Sequence, residues 1–302
     1  MNLRGLFSLY QIACRQENEQ KRYDCQRTHG AGLYNAPHGN GKATHSVQPI
    51  LTITSTIASM LSLDKQNQWR DVYRAEHPEW RPATEVFARR VREHSKLESR
   101  LLDIGCGRGG IFEQLDHPIA QSAGIDPDFS SLREHRLKHL PRAAALSDRL
   151  PFAGNTFDVV IASWLLEHLV DPERTFKAIA HVLRHDGVFV FITPNARHPL
   201  TIANRVAGRL GRLQGRLVNR IYGRAADDTF ATFYQANTPL QLAILAQEAG
   251  LLIESLDLIA DPTYMAFHSS LFRGMSLIDD YLPDNRRIHI VGVLRKLSIL
   301  TL

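Results

Sequence analysis

Residues 101–110 read Leu101-Leu102-Asp103-Ile104-Gly105-Cys106-Gly107-Arg108-Gly109-Gly110, an apolar run that passes into a glycine-rich turn. Apolar residues at helical spacing follow over 111–115, so the pattern predicts a strand, a tight loop and a helix over 108–115. Glycine lets the backbone approach a ligand closely, and the first amide groups of a helix have no partner within it. The spacing of Gly105, Gly107 and Gly110 therefore favours a nucleotide-type cofactor, although as a bare pattern it also fits an ordinary turn.

Two acidic residues accompany this loop. Asp103 lies two positions before the first glycine, where its carboxylate can face a cationic amino-acid moiety. Asp126 ends a second apolar run about 20 residues further on, the spacing at which a carboxylate meets ribose hydroxyls. The structural alternatives are a strand-end cap for Asp103 and a turn former for Asp126-Pro127.

Further motifs follow in order, and with them the chain resembles the class I S-adenosylmethionine-dependent methyltransferases of the small-molecule, methyltransferase-11-like type. The resemblance spans roughly residues 68–296, and the ordered set is far more specific than any one motif. The motifs that carry it are Asp103–Gly109, Gly124-Ile125-Asp126, Ser147–Phe152, Phe157–Val160, Trp164–His168 and Gly187–Asn195.

The resemblance implies roles for individual residues. Asp103 and the backbone of Gly105–Gly109 would hold the methionine end of S-adenosylmethionine, and Asp126 would hold the ribose hydroxyls. Asp148 would meet the adenine amino group with Leu150 near the ring, although a solvated loop acid is the alternative for Asp148. The full set of expected cofactor contacts is Asp103, Gly105, Cys106, Gly107, Gly109, Asp126, Pro127, Asp148, Arg149, Leu150 and Ser163.

Two other classes of protein compete with this interpretation. A nicotinamide-dependent Rossmann enzyme shares the glycine loop, but the segment 148–152 and the C-terminal end of the chain favour the methyltransferase. A cofactor-binding regulator without catalysis is the third class, and the intact Asp103, Gly105, Gly107 and Asp126 argue against it.

Strand-like and helix-like segments alternate after residue 80. The alternation predicts an α/β fold, a Rossmann-like, doubly wound, mainly parallel sheet of seven strands with ligands at the carboxyl ends of the strands. The resemblance implies that the last strand runs antiparallel beside the sixth. The predicted strands cover 101–105, 119–126, 143–147, 157–163, 188–193, 251–259 and 287–297. A first helix is predicted to begin near residue 82. Further predicted helices cover 108–115, 130–140, 172–186 and 239–249, and a loosely helical segment covers 262–282.

Residues 1–65 differ from the remainder of the chain. They contain a Gly/His/Asn-rich stretch without periodicity and are expected to be disordered or a non-native extension, with Met60 as an alternative start. Residues 66–302 are expected to form the methyltransferase domain, with a helical insertion at 197–233.

Charge and cysteine content limit the possible partners. Six of the basic and three of the acidic side chains lie in residues 1–60, so the net charge of +5 is mainly a property of that segment and weak evidence for nucleic-acid binding. Cys14, Cys25 and Cys106 fit neither a zinc spacing nor a paired framework, so no metal site is expected and a reducing cytoplasm is the default.

The sequence says less about the methyl acceptor and the residues that bind it. His168 follows the fourth strand and His198 follows the fifth, so either is a candidate base for a hydroxyl proton, with a structural hydrogen bond as the alternative. The expected reaction is O-methylation of a sugar, lipid or secondary metabolite, and C-methylation of a quinone-like ring is the second choice. Thr193-Pro194-Asn195 differs from the motif of the methyltransferases that act on DNA bases, which argues against nucleic acid as the acceptor.

The insertion carries a basic stripe. Between Asn195 and Ala226 there is no acidic residue, and arginines and apolar residues each recur every three or four positions. A lid helix with a solvated arginine edge and a helix on an anionic membrane both fit this pattern. The arginines are Arg205, Arg209, Arg212, Arg216, Arg220 and Arg224; the apolar residues are Ile202, Val206, Leu210, Leu213, Leu217 and Ile221.

Overall fold

The structure is a computed structural model, and it describes residues 63–115, 118, 121–209, 231–266 and 268–297. The predicted disorder over 1–65 therefore falls almost wholly outside the described residues. So does the part of the basic stripe beyond residue 209. Among the described residues, no helix combines the length and the hydropathy that crossing a membrane requires.

One mixed sheet of seven strands organises the chain, in the order β3-β2-β1-β4-β5-β7-β6. Strands β1 to β5 pair in parallel, and β7 runs antiparallel to both β5 and β6. The predicted fold class is confirmed, including the antiparallel C-terminal strand. The strands are β1 (Leu101–Ile104), β2 (Ser122–Asp126), β3 (Arg142–Ala144), β4 (Phe157–Ser163), β5 (Leu183–Pro194), β6 (Leu251–Ile259) and β7 (His289–Lys296).

Helices cover both faces of the sheet, which explains why the central strands β1 and β4 are mostly apolar. On one face, Val160 of β4 belongs to a buried cluster with Phe176 and Leu242; on the other, Val159 clusters with Phe87 and Phe272. The described α-helices are α1 (Leu63–Glu76), α2 (Ala83–His94), α3 (Phe129–Glu134), α4 (Pro172–Val182), α5 (Pro199–Arg209), α6 (Pro239–Glu248) and α7 (Ser269–Tyr281).

Several predicted boundaries are confirmed. Strands β4 and β6 span the predicted residues. Helix α6 begins at the predicted residue, Pro239, because the Thr238 side chain accepts the Gln241 N–H and proline occupies the first turn.

Three predicted helices are wrong in extent. The segment 108–115 forms only a 3₁₀ turn at Ile111–Glu113, so its apolar residues reach the core from a loop. The helix predicted over 130–140 ends at Glu134, because the chain at the next residue, His135, turns into an extended conformation. His135 is buried and its Nδ1 accepts the N–H of Leu137 at 3.1 Å, which fixes this exit.

The helix predicted over 172–186 is also too long, since α4 ends at Val182 and β5 already begins at Leu183. Gly187 does not end the helix, and the left-handed residue in this segment is Asp186, with φ of 63°. Glycine is needed at position 187 because the backbone of Arg184 lies very close to it: a Cβ there would lie 2.9 Å from the Arg184 carbonyl oxygen.

The remaining strand limits shift by a few residues. Strand β3 covers 142–144 where 143–147 was predicted, and β2 begins at Ser122 where 119 was predicted. The last strand begins at His289, two residues later than predicted.

Candidate cofactor and acceptor site

The glycine loop follows β1 at the carboxyl edge of the parallel strands. Gly105, Gly107 and Gly109 all have φ in the left-handed region, at 76°, 46° and 115°. Residues with side chains rarely adopt this conformation, so the sequence of alternating glycines is what permits the turn. The N–H groups of Gly105 and Cys106 both donate to the Ile125 carbonyl oxygen, at 2.8 and 3.0 Å, and this ties the loop to β2.

Asp126 ends β2 and lies directly against this loop. Its Oδ2 accepts the Gly107 N–H at 2.9 Å, and its Oδ1 accepts the Asp128 N–H at 2.8 Å. Burial raises the pKa of this carboxyl, and the two backbone hydrogen bonds act in the opposite direction. The carboxylate thus supports the turn, and it stands at the position where a ribose is expected.

Asp103 lies in β1 and is 2% exposed. Its Oδ1 is buried without a hydrogen-bond partner among the described residues. Burial, and secondarily the charge of Asp126, raises the pKa of Asp103 to about 8. A buried acid without a partner is costly, and a cationic ligand group is the chemical complement that removes this cost. Asp103 therefore fits the ammonium group of a bound amino acid.

Cys106 fills the space between the loop and β2. Its Sγ would lie 2.8 Å from a Cβ at Gly124, so the thiol fits only because position 124 has no side chain. Burial raises the pKa of the thiol, which keeps it neutral. Cys106 is a packed residue of the loop.

The other predicted cofactor residues border this region. Asp126 pairs with Ala144 of β3, and the segment that leaves β3 contains Asp148, which is half-buried, and the exposed Arg149. Leu150 packs against the core, and Pro127 is exposed beside Asp126.

The end of β4 meets the glycine loop from the other side. The Ser163 Oγ lies 4.0 Å from where a Cβ of Gly110 would be, and Leu165 Cδ1 lies 3.1 Å from the corresponding point at Gly105. The structure thus brings the glycine loop, Asp103, Asp126 and Ser163 to one edge of the sheet.

His168 lies in a 3₁₀ turn after β4, with 28% of its side chain exposed. Its Nδ1 lies 2.8 Å from the Ala231 carbonyl oxygen, and its Nε2 lies 4.0 Å from Glu167 Oε1. Glu167 is buried and accepts the Thr193 hydroxyl at 3.1 Å. The role of His168 as a base stays a prediction.

His198 is 1% exposed at the beginning of α5. Its Nδ1 accepts the Leu200 N–H at 3.2 Å, and its Nε2 lies 3.3 Å from Asp279 Oδ1. Because Nδ1 accepts, the ring donates to Asp279 through the proton on Nε2. Both ring nitrogens are therefore engaged within the protein, and the catalytic role of His198 stays a prediction.

Sequence reasoning missed His289, Tyr264 and Trp164 at this edge. His289 Nε2 lies 3.0 Å from the Tyr264 hydroxyl, and the His289 ring meets the Trp164 ring edge-on with centroids 5.2 Å apart. Trp164 begins one of the motifs but was given no role, and Tyr264 and His289 lie far from it in the sequence and outside every motif. The available signal was the histidine at the start of the last predicted strand, since an antiparallel strand begins at the edge where its parallel neighbours end.

Comparison with known proteins identifies the domain. Residues 102–191, from β1 to β5, match a protein family described as "Methyltransferase domain". A relative named mitochondrial arginine-hydroxylase NDUFAF5, from Danio rerio, is 34% identical over 106 residues, which are 34% of this chain and 33% of that protein. A ubiquinone biosynthesis O-methyltransferase from Nitrosospira multiformis is 28% identical over 213 residues, which are 67% of this chain and 84% of that protein.

The match to the arginine-hydroxylase thus spans about a third of that protein's length.

A solved methyltransferase, in complex with the Trm112 methyltransferase activator of Haloferax volcanii, superimposes with a TM-score of 0.52 at 17% identity. The superposition covers 78% of this chain and 97% of that one, and it confirms the fold. The glycine loop, the two acids and the antiparallel strand β7 agree with these matches, which show a methyltransferase domain over residues 102–191 within a fold shared with solved methyltransferases.

Proposed function

We propose that this protein transfers a methyl group from S-adenosylmethionine to a hydroxyl group of a small-molecule acceptor. The observation that carries the proposal is Asp103, a buried acid whose Oδ1 has no hydrogen-bond partner among the described residues, beside a loop of left-handed glycines. The O-methyltransferase relative supports oxygen as the methylated atom, since the similarity extends over 84% of its length.

The residues divide the binding task between them. Asp103 would receive the ammonium of the methionine end, and the backbone of Gly105–Gly109 would approach its carboxylate. Asp126 would accept hydrogen bonds from the ribose, and Asp148 with Leu150 would meet the adenine. When bound, the cofactor supplies an electrophilic methyl group on a sulfonium. The protein's remaining work is to align the acceptor with that methyl group, exclude water and, where needed, hold the hydroxyl proton.

His168 is the candidate for holding that proton, because it is partly exposed beside the end of β4. If it acts as the base, His168→Ala lowers kcat by about 100-fold or more while cofactor affinity stays unchanged. Loss of stability with an unaltered kcat would instead assign it a structural role.

Activity is tested with S-adenosylmethionine labelled in the methyl group and three hydroxyl acceptors: catechol, glucose and a long-chain alcohol. Proton NMR of the product distinguishes an O-methyl from a C-methyl group, which separates this proposal from methylation of a quinone-like ring. Calorimetric titration with S-adenosylmethionine and with NADH separates it from a nicotinamide-dependent enzyme. Cofactor binding without transfer to any acceptor would favour a regulatory protein.

The relative named arginine-hydroxylase supports a second candidate, because it is 34% identical over 106 residues. A match to this domain therefore does not by itself specify methyl transfer. We prefer methyl transfer because the O-methyltransferase relative is covered over most of its length. Hydroxylation of an arginine peptide, measured by mass spectrometry, would support the other candidate.

Contact of residues 202–224 with an anionic membrane is a further proposal from the sequence, as is a cytoplasmic location. Within the described part, Ile202 is 48% exposed, and the Arg205 guanidinium lies 5.4 Å from the Tyr234 ring centroid. Sedimentation with anionic vesicles at low and high salt tests the contact. Replacing Arg209, Arg212 and Arg216 by Gln is expected to abolish it, and wild-type protein that stays in the supernatant at low salt would leave the lid helix as the interpretation.

A further inference from the structure

His289 lies at the same edge of the sheet as the glycine loop. It is the first residue of β7, and the register pairs it with Pro194 at the end of β5 and Ile259 at the end of β6. In a sheet of this kind, ligands bind outside the carboxyl ends of the parallel strands. His289 is thus a buried polar residue placed where an acceptor is expected.

The His289 ring has one satisfied and one unsatisfied nitrogen. Nε2 pairs with the Tyr264 hydroxyl at 3.0 Å, whereas Nδ1 is buried and has no hydrogen-bond partner among the described residues. Burial lowers the pKa of His289 to about 4, with Asp261 opposing and with Arg70 and His198 adding to the effect. The imidazole is therefore neutral at physiological pH and carries a single proton.

The location of that proton follows from the cost of an unpaired group. An orphaned N–H is rarer in protein interiors than an acceptor with an unused lone pair. We therefore place the proton on Nε2, which donates to the Tyr264 oxygen, and this leaves a lone pair on Nδ1. Such a nitrogen accepts a hydrogen bond from a hydroxyl, but at a pKa of about 4 it is too weak a base to remove the proton by itself.

Trp164 connects this histidine to the cofactor loop. It lies between Ser163 and Leu165, which approach Gly110 and Gly105, and its half-buried ring packs edge-on against His289. Its φ is 55°, a conformation that is a genuine outlier for a bulky side chain. The backbone N–H of Trp164 donates to the Ile192 carbonyl oxygen at 3.0 Å, and this hydrogen bond holds the kink. Backbone strain of this kind persists where the surrounding structure enforces it, most often at functional sites.

We propose that Trp164, Tyr264 and His289 form the acceptor subsite, and that it binds a hydroxylated aromatic ring. The ring packs against the Trp164 indole, and its hydroxyl donates to His289 Nδ1, while Tyr264 fixes the tautomer of the histidine. Nδ1 is covered by protein, so in this proposal the half-buried Trp164 side chain turns to admit the hydroxyl while the hydrogen bond between Tyr264 and His289 stays in place. The inference rests on the proposed function and names its class of acceptor.

Equilibrium binding tests the subsite without any turnover. Catechol and 1,2-dimethylbenzene have nearly the same shape, but only catechol donates hydrogen bonds. Each is titrated into the full chain by calorimetry and by tryptophan fluorescence, with and without S-adenosylhomocysteine. Failure of the homocysteine compound to bind would refute the proposed function and is recorded independently of the two aromatic titrations.

The wild-type protein is expected to bind catechol at least 10-fold more tightly than 1,2-dimethylbenzene. His289→Phe is expected to remove most of this preference, with 1,2-dimethylbenzene affinity unchanged within about twofold, because only the hydrogen bond is lost. Tyr264→Phe is expected to reduce the preference in the same direction, and it serves as the test if the histidine variant does not fold. Trp164→Leu weakens both ligands to a similar degree.

Tyr281→Phe is the matched control, since Tyr281 is 86% exposed at the end of α7, and it leaves both affinities unchanged. Equal affinity of the wild type for the two aromatic compounds, or binding of neither, would overturn the subsite. A His289 variant that weakens both compounds equally would also overturn it, because that is the result of general structural damage.

Discussion

Cofactor affinity is expected to depend steeply on pH because of Asp103. The pKa of this buried carboxyl is raised to about 8 in the free protein, first by burial and then by the charge of Asp126. A carboxyl that pairs with a ligand ammonium has to lose its proton, so cofactor binding below pH 8 releases a proton. Each unit of pH below the pKa then costs about 1.4 kcal/mol of binding free energy, or a factor of about 10.

The expected result is a loss of affinity for S-adenosylhomocysteine of about 10- to 100-fold between pH 8 and pH 6. Isothermal calorimetry in buffers of different ionisation enthalpy measures both the affinity and the number of protons released, which approaches one at pH 6. Asp103→Asn keeps the shape of the side chain and removes the titrating group. This variant is expected to bind more weakly at pH 8 and to show a flat profile over the same range.

The same carboxyl affects folding stability with a definite sign. Its folded-state pKa lies above its ordinary value of 3.8, so between about pH 4 and pH 8 the folded protein binds more protons than the unfolded chain. The free energy of unfolding therefore falls as pH rises through this window. Thermal unfolding without ligand is expected to give a Tm that declines more from pH 5 to pH 8 in the wild type than in Asp103→Asn. Affinity and Tm profiles that are identical in the two proteins would refute this account of Asp103.

Three further predictions concern neighbouring residues. Asp126→Ala is expected to weaken S-adenosylmethionine binding about 10- to 100-fold with the fold intact, because hydrogen bonds to a charged group contribute about 1.5–3 kcal/mol. Unchanged affinity in calorimetry would contradict the ribose assignment. His198→Ala removes the hydrogen bond that the buried Asp279 accepts, so a loss of about 1.5–3 kcal/mol in urea unfolding is expected, with cofactor affinity within twofold of the wild type. An unchanged midpoint would show that the pair does not stabilise the fold. Gly124→Ala introduces a Cβ 2.8 Å from the Cys106 Sγ, so about 1–3 kcal/mol of the free energy of unfolding is lost. The double variant with Cys106→Ala is expected to recover part of this loss. Additive losses would mean that the two side chains do not meet.

The sheet could be predicted from the sequence wherever a strand is buried on both faces. Strand β4 is such a strand, and its apolar residues, interrupted only by Asp158, run from Phe157 to the residue before Ser163. Helices were predicted less well, because apolar spacing does not say whether a residue reaches the core from a helix or from a loop. Ile111 and Phe112 are buried from a 3₁₀ turn, and the left-handed Gly109 before them keeps the chain from entering a regular helix earlier.

The proposed cofactor half of the site could be predicted from the sequence because its residues are local. Asp103 is within two positions of the glycine loop, and Asp126 follows at a fixed spacing, so one short pattern contains the geometry. What the pattern did not contain is the electrostatic state of Asp103, which depends on complete burial and on the distance to Asp126.

The acceptor half depends on contacts between distant segments, and this limits what any sequence pattern can say of it. His289 gains its position only because β7 enters the sheet antiparallel between β5 and β6, which places its first residue beside Pro194. His198, by contrast, follows β5 directly and was an obvious candidate, yet both of its ring nitrogens are engaged by Leu200 and Asp279. The more informative histidine is the one with an unused buried nitrogen, and that property exists only in the folded chain.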